Sequence, residues 1–363
     1  MLLIVIGMNG VVLVNDLFSL YVFMEVTAVS TFILIVINND KKALQSSFRY
    51  LIVSAVATVF ILLAIGVIFM YTDSLKFVDI NKYMAGIKGD IPLPVLTSSI
   101  LLLAGLFIKG GLVPFHGWLP DAYSSAPSTV SIIVAGIETK ITGVYSLLIV
   151  YTKVLDKCPL IGSIIMIFGT LSIVVGALTA IAQDEFKNML AFSSISQIGY
   201  IVLGIGIGTP LALFGAAFHF FNHAIFKSLL FVNSAAVEKQ TGTTKFKKLG
   251  GLASKMPYTG VTSIIGLLST SGIPPLSGFW SKFIIIAAAW QTGAYAYAVI
   301  ALLSSILTLA YFLKLQKQVF FGELAEGLEN VTEANSGYKC ASIILSAITI
   351  IIGVLFPFIA KGL

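Results

Sequence analysis

The sequence predicts an all-α polytopic membrane protein of about eleven transmembrane helices, arranged as two inverted five-helix repeats with a broken helix in each. Three observations carry that reading. Of 363 residues, 58% are hydrophobic and only 10% are charged, whereas soluble domains carry about 25% charged residues. The apolar runs suit spanning helices and are too long for barrel strands. Prolines beside lysines interrupt two of those runs, one in each half of the chain.

A helix crossing the hydrocarbon needs about 20 residues. By that ruler the spans fall at 1–14, 17–37, 44–71, 95–116, 128–151, 160–182, 188–207, 211–236, 258–291, 295–320 and 340–360. The first is short, and the ninth is long enough to be bent or broken. Met1 runs directly into apolar residues without a basic region or small-residue cleavage site, so a cleaved signal peptide is not expected. Cys158 and Cys340 have neither CxxC nor metal-ligand spacing, and two packed thiols are expected.

Loop charge sets the expected orientation. With the 38–43 loop inside, twelve of the 22 Lys and Arg residues lie on that side. Six lie opposite: Lys76, Lys82, Lys88, Lys153, Lys157 and Lys361. That asymmetry places the N-terminus in the cytoplasm. The net charge of +6 suits such a protein and does not indicate nucleic-acid binding.

The remaining four lysines, Lys109, Lys140, Lys227 and Lys282, fall inside spans. Glu25 lies mid-span in SLYVFMEVTAVSTFIL, and Glu138 shares VAGIETKITGVYS with Lys140. An ionisable group at helix centre costs about 2.5–3.5 kcal/mol. Such groups persist where they pair, line water or do work; static ion pairs tying helices together are the alternative. His219, His223 and Lys227 recur at i, i+4 and i+8 in AAFHFFNHAIFKSLLF, which makes one stripe on one helix face. Imidazole titrates near neutrality and suits proton transfer. Glu138 and Lys140, two apart, do not face each other on an α-helix. A buried lysine with a movable acidic partner switches between holding and releasing a proton.

The prolines fit that pattern. Pro114 follows Lys109 in GLFIKGGLVPFHGWLP, which also carries His116; Pro274 and Pro275 precede Lys282 in SGIPPLSGFWSKF. Broken spans occur where they are buried in protein or line a polar cavity, and transporters place ion sites there. Lys109 and Lys282 are 173 residues apart, and the same offset carries Glu25 to Ile198, beside Gln197, and Lys140 to Leu313, beside Lys314. The second span thus pairs with the seventh, the fourth with the ninth and the fifth with the tenth. Five spans per unit is odd, so the units enter the membrane in opposite senses. The expected division is 1–151, with a half-channel around Glu25, Lys109 and Lys140, then 160–320, with one around His223, Lys227 and Lys282, then a final helix in 340–363.

The segments FIKGGLVPFHGWLPDAYSSAPSTVS, DLFSLYVFMEV, EFKNMLAFSSISQIGYIVLGI, NHAIFKSLLF and GIPPLSGFWSKF resemble the antiporter-like subunits shared by respiratory complex I, Mrp-type sodium/proton antiporters and membrane-bound energy-converting hydrogenases. The resemblance runs from about residue 10 to residue 320. It implies that Glu25 is the essential carboxylate paired with Lys109, that Lys140 passes protons toward the middle, that His223 and Lys227 continue the axis, and that Lys282 stands near the exit. Glu138 has no clear family counterpart, and with His219 and His116 it is an auxiliary candidate. The family usually has fourteen helices, so the resemblance implies that three precede those present here, supplied by a small separate chain or absent from a shortened variant. The long lateral helix of the largest paralogue is not expected, which favours the medium-sized Mrp-type branch or the hydrogenase-type branch.

The expected function is ion translocation, of protons or in sodium/proton exchange, within a complex of the prokaryotic cell (inner) membrane. Its expected partners are other membrane subunits, including paralogous ones, lipid, and a peripheral redox module or an ion gradient as driving force. The chain shows no cysteine cluster motif or dinucleotide fingerprint, so no cofactor or metal is expected in it and no electron chemistry is assigned to it. Two other classes stay open. A stand-alone solute transporter would work as a purified single chain. A structural subunit with static pairs would keep full activity when both members of a pair are replaced.

Overall fold

The computed structural model describes residues 1–155 and 158–359; Lys157 and Lys361, counted above in the loop charge, lie outside the described residues. Helices, turns and two isolated β-bridges make up the described chain. The helices are α1 (Leu2–Leu13), α2 (Leu17–Ile35), α3 (Lys41–Thr72), α4 (Phe77–Gly86), α5 (Leu93–Lys109), α6 (Trp118–Ser125), α7 (Ser128–Leu155), α8 (Pro159–Ile181), α9 (Phe186–Ile207), α10 (Pro210–Thr241), α11 (Pro257–Ser271), α12 (Ser277–Gln291), α13 (Tyr295–Val319) and α14 (Ser336–Ile359).

Among the described residues, seven helices are long and apolar enough to span by themselves: α2, α3, α7, α8, α9, α13 and α14. The other four expected spans fall short of that standard for physical reasons. α1 has only 12 residues. α10 has 32 but carries the buried polar stripe of His219, Asn222, His223 and Lys227. The fourth and ninth are broken: the fourth, 95–116, holds α5 and the break, with α6 beginning just beyond its expected end, and the ninth holds both α11 and α12. In each, a glycine in the left-handed region ends the first helix, Gly111 at φ 65° and Gly272 at φ 82°. A cis X–Pro bond follows in both, and the chain then re-enters a helix. Glycine reaches positive φ without a Cβ clash, and proline supplies no amide to continue the ladder.

The two halves repeat each other in detail. Asp16 bridges Lys76 in the first, and Glu185 bridges Lys245 in the second. α3 and α10 both have 32 residues, starting at Lys41 and Pro210. All these pairs share an offset of 169, whereas Gly111 and Gly272 are offset by 161. Most of the shift arises in the connection between the third and fourth spans, which holds the ten-residue α4 in the first half and two short 3-10 turns, Phe246–Lys248 and Leu252–Ser254, in the second. The 173-residue offset between Lys109 and Lys282 is therefore not the structural register. Thr270 stands at the Lys109 position, and Ser194, not Ile198 or Gln197, stands at the Glu25 position.

α4 falls in a stretch read from sequence as a connection. It buries Phe77, Ile80 and Met84 on one face, the i, i+3, i+7 pattern of a surface helix. At the centre lies α9, 89% of whose spanning window is buried. Small residues let α8 approach it closely: a Cβ on Gly169 would stand 2.7 Å from the Leu203 amide nitrogen, the small-residue contact that holds membrane helices together.

Candidate functional site

α2, α3 and α5 converge on the first half's ion pair. Lys109 is the last residue of α5, where the break begins. Its Nζ lies 2.7 Å from Glu25 Oε1 and donates to Ser54 Oγ at 2.7 Å. Thr58 Oγ1 donates to the same Glu25 oxygen at 2.7 Å. The lysine side chain is 3% exposed and the glutamate 28%, so the pair reaches from the protein interior toward its periphery. Burying one such charge alone would be strongly unfavourable; here each completes the other.

α7 brings the next groups. Its turns at Val134–Glu138 and Lys140–Tyr145 are π-helical, a wide-turn feature frequent at functional sites. Gly143 packs against the backbone of Gly110, which seats α7 on the break next to Lys109. Glu138, Thr139, Lys140 and Thr142 are all buried. Lys140 Nζ turns back to donate to the Ala135 carbonyl. Glu138 Oε2 accepts from Thr139 Oγ1 at 3.0 Å, and Oε1 from Thr142 Oγ1 at 3.3 Å. Glu138 and Lys140 do not bond to each other, as their spacing implied.

The second half's stripe lies wholly inside. His219, His223 and Lys227 are each 0% exposed. The two imidazoles lie nearly parallel, 6.2 Å apart. His219 Nδ1 meets Ser281 Oγ at 2.9 Å. Lys227 Nζ donates to the Leu190 carbonyl at 3.0 Å and to Ser193 Oγ. Lys282 Nζ sits 4.4 Å from the centre of the Tyr200 ring, a cation–π arrangement. Among the described residues, neither His223 ring nitrogen nor Lys282 Nζ has a hydrogen-bond partner, so polar capacity stands open along this line.

α7 meets the second half where Gly136 packs against the Ser228 side chain of α10, one residue beyond Lys227. Lys109, Lys140, His223, Lys227 and Lys282 are thus buried, as are His219 and Glu138, while Glu25 is half-buried at the edge of its pair. His116 does not join them. This half-buried ring lies in the first break, 6.4 Å from the Phe192 ring. Pro114, Pro274 and Pro275 lie in the breaks themselves. Lys314, beside the residue reached from Lys140 by the 173-residue offset, holds the Ile181 and Gln183 carbonyls at 2.9 and 2.8 Å. It closes the end of α8, the position where a cation meets a helix dipole favourably.

Several partners are not legible in the sequence: Ser54, Thr58, Thr139, Thr142, Ser193, Tyr200 and Ser281. Among the described residues no group of three or more His, Cys, Asp or Glu side chains could hold a metal ion. A polar recess of about 470 Å³ lies on the 38–43 side, where Lys187 pairs with Glu238 at 2.7 Å beside Asp40 and Glu185.

Residues 14–308 match the family described as NADH:quinone oxidoreductase/Mrp antiporter, TM. The chain belongs to that family. It is 34% identical to a Na(+)/H(+) antiporter subunit of Alkalihalophilus pseudofirmus over 353 residues, covering 96% of this chain and 70% of that one. It is also 34% identical to an NADH-quinone oxidoreductase subunit of Desulforudis audaxviator over 323 residues, covering 88% of this chain but 64% of the other. The fold matches a chain in the structure of the Mrp complex from Dietzia sp. DQ12-45-1b with a TM-score of 0.89 at 26% identity, over 99% of this chain and 74% of that one. The membership read from the five motifs holds, and the chain is a multi-pass membrane protein of the antiporter family.

Proposed function

We propose that this chain is an ion-translocating subunit of a multi-subunit membrane complex and that it moves protons, or takes part in sodium/proton exchange, along its buried titratable groups. One observation supports the reading: Lys109, Lys140, His223, Lys227 and Lys282 are buried inside spanning helices of both halves, Glu25 pairs with the first of them, and α7 packs on α10 through Gly136 and Ser228. Static pairing does not account for this set, because only the Glu25–Lys109 member is an ion pair within it among the described residues. The half-channel of 1–151 holds the first three groups and that of 160–320 the others. A proton held on Lys109 is released when the Glu25 pair loosens, passes Lys140, and leaves past Lys282. A redox module or an ion gradient elsewhere in the complex drives that loosening. The N-terminus lies in the cytoplasm of a prokaryotic cell, by the loop-charge asymmetry.

The test replaces Lys109 or Glu25 by alanine in the assembled complex and measures proton translocation in vesicles. Loss of translocation with an intact complex is expected. Unchanged translocation would refute the assignment.

A further inference from the structure

The proposed route runs from one lysine to another, Lys109 to Lys140, with no acceptor of opposite charge between them. Glu138 stands beside that step. It is 2% exposed and forms no ion pair within 4 Å among the described residues. An unpaired carboxylate buried among apolar helices is unfavourable. Its oxygens lie against hydroxyls instead: Oε2 accepts from Thr139 at 3.0 Å, and Oε1 stands 3.3 Å from Thr142 Oγ1, whose hydrogen it shares with the Glu138 carbonyl at 3.0 Å. Tyr123 Oη donates to Thr139 Oγ1 at 2.9 Å, so the threonine's own hydrogen is left for the Glu138 carboxylate at 3.0 Å or the Val134 carbonyl at 3.3 Å. The charged and titratable groups facing Glu138 come from four elements: Lys109 on α5, Lys140 on α7, Tyr50 on α3 and Tyr123 on α6.

We infer that Glu138 is the proton acceptor between Lys109 and Lys140, with Thr139 and Thr142 as its positioning residues. The inference rests on the route proposed above. In the first step the Lys109 ammonium, freed from Glu25, gives a proton through a bridging water to the Glu138 carboxylate, leaving a neutral amine and a carboxylic acid. In the second the carboxylic acid gives that proton, again through water, to the neutral Lys140 amine, restoring the carboxylate and charging Lys140. Two opposite charges neutralise in the first step and separate in the second, so neither lysine confronts the other as a cation. The π-turns of α7 place the acidic group and the second lysine in one short stretch beside the Gly110–Gly143 contact.

The experiment compares Glu138→Gln, Glu138→Asp, Thr139→Val and Thr139→Ser in the whole complex, with Lys109→Ala alongside. Proton translocation in vesicles is read across pH, and infrared difference spectra are recorded in H₂O and D₂O. E138Q is expected to lower translocation at least tenfold, and E138D to restore part of it with a displaced pH profile. T139V is expected to displace the pH profile and the deuterium-sensitive carboxyl band, and T139S to return both. Wild-type rate and pH profile in E138Q, with K109A inactive, would overturn the role of Glu138 and leave the route standing. An active K109A would instead overturn the route itself. If E138Q fails to assemble, T139V decides: a band and pH profile left in place would overturn the inference.

Discussion

Lys282 lies over the face of Tyr200, its Nζ 4.4 Å from the ring centre, while the tyrosine hydroxyl donates to the Ala301 carbonyl at 2.6 Å. The ring is therefore fixed to α13 from α9 while its face holds the ammonium carried by α12. No carboxylate pairs with this lysine among the described residues, so the aromatic quadrupole is its principal electrostatic support.

That support has a measurable value. A cation–π contact contributes about 0.5–2 kcal/mol, and tenfold corresponds to about 1.4 kcal/mol. Tyr200→Leu is therefore expected to slow translocation between about twofold and thirtyfold. Tyr200→Phe keeps the ring and is expected to slow it less. Vesicle assays of the two variants check the order; equal rates would remove the ring from the exit step.

Gly143 tests the seating of the first break. A Cβ there would stand 2.8 Å from the Lys109 carbonyl carbon and closer still to Gly110. Gly143→Ala is expected to destabilise the protein by about 1–3 kcal/mol, the usual penalty of overpacking, and to lower translocation by displacing Lys109. Gly66→Ala, where nothing lies within 4 Å, is the control and is expected to be neutral. Thermal unfolding of the purified complex gives the comparison.

Glu333 separates stability from transport. Its carboxylate accepts from the Tyr258 and Thr259 amides at 2.8 and 3.3 Å and from Thr259 Oγ1 at 2.6 Å, which caps the start of α11. Glu333→Gln is expected to lower stability by about 1 kcal/mol, as caps and helix-dipole contacts do, and to leave translocation unchanged. Melting curves and vesicle assays on the same preparation check both halves of that statement.

Much of this is legible in the sequence because a charge or a proline inside an apolar run is conspicuous. Lys109, Lys140, Lys227 and Lys282 stand out for that reason, and so do the breaks at Pro114 and Pro274. Their partners do not. Thr142 bonds its own Glu138 carbonyl at 3.0 Å and Thr58 its Ser54 carbonyl at 2.9 Å, as serines and threonines in membrane helices routinely do. Such residues are common in spans, so nothing in the sequence separates Thr139 from the others. The spacing of the lysines misses the register of the repeat because the two stand on opposite sides of their breaks, Lys109 at the end of α5 and Lys282 inside α12. The π-turns of α7 leave no mark on a hydrophobic period already saturated with apolar residues.

The most direct test concerns Lys140, the buried lysine on which the proposed route turns. Lys140→Met keeps length and removes the titratable amine. With the complex intact, proton translocation in vesicles is expected to fall to the level of passive leak. Translocation at the wild-type rate would contradict the account, since no route from Lys109 to Lys227 would then require the buried amine.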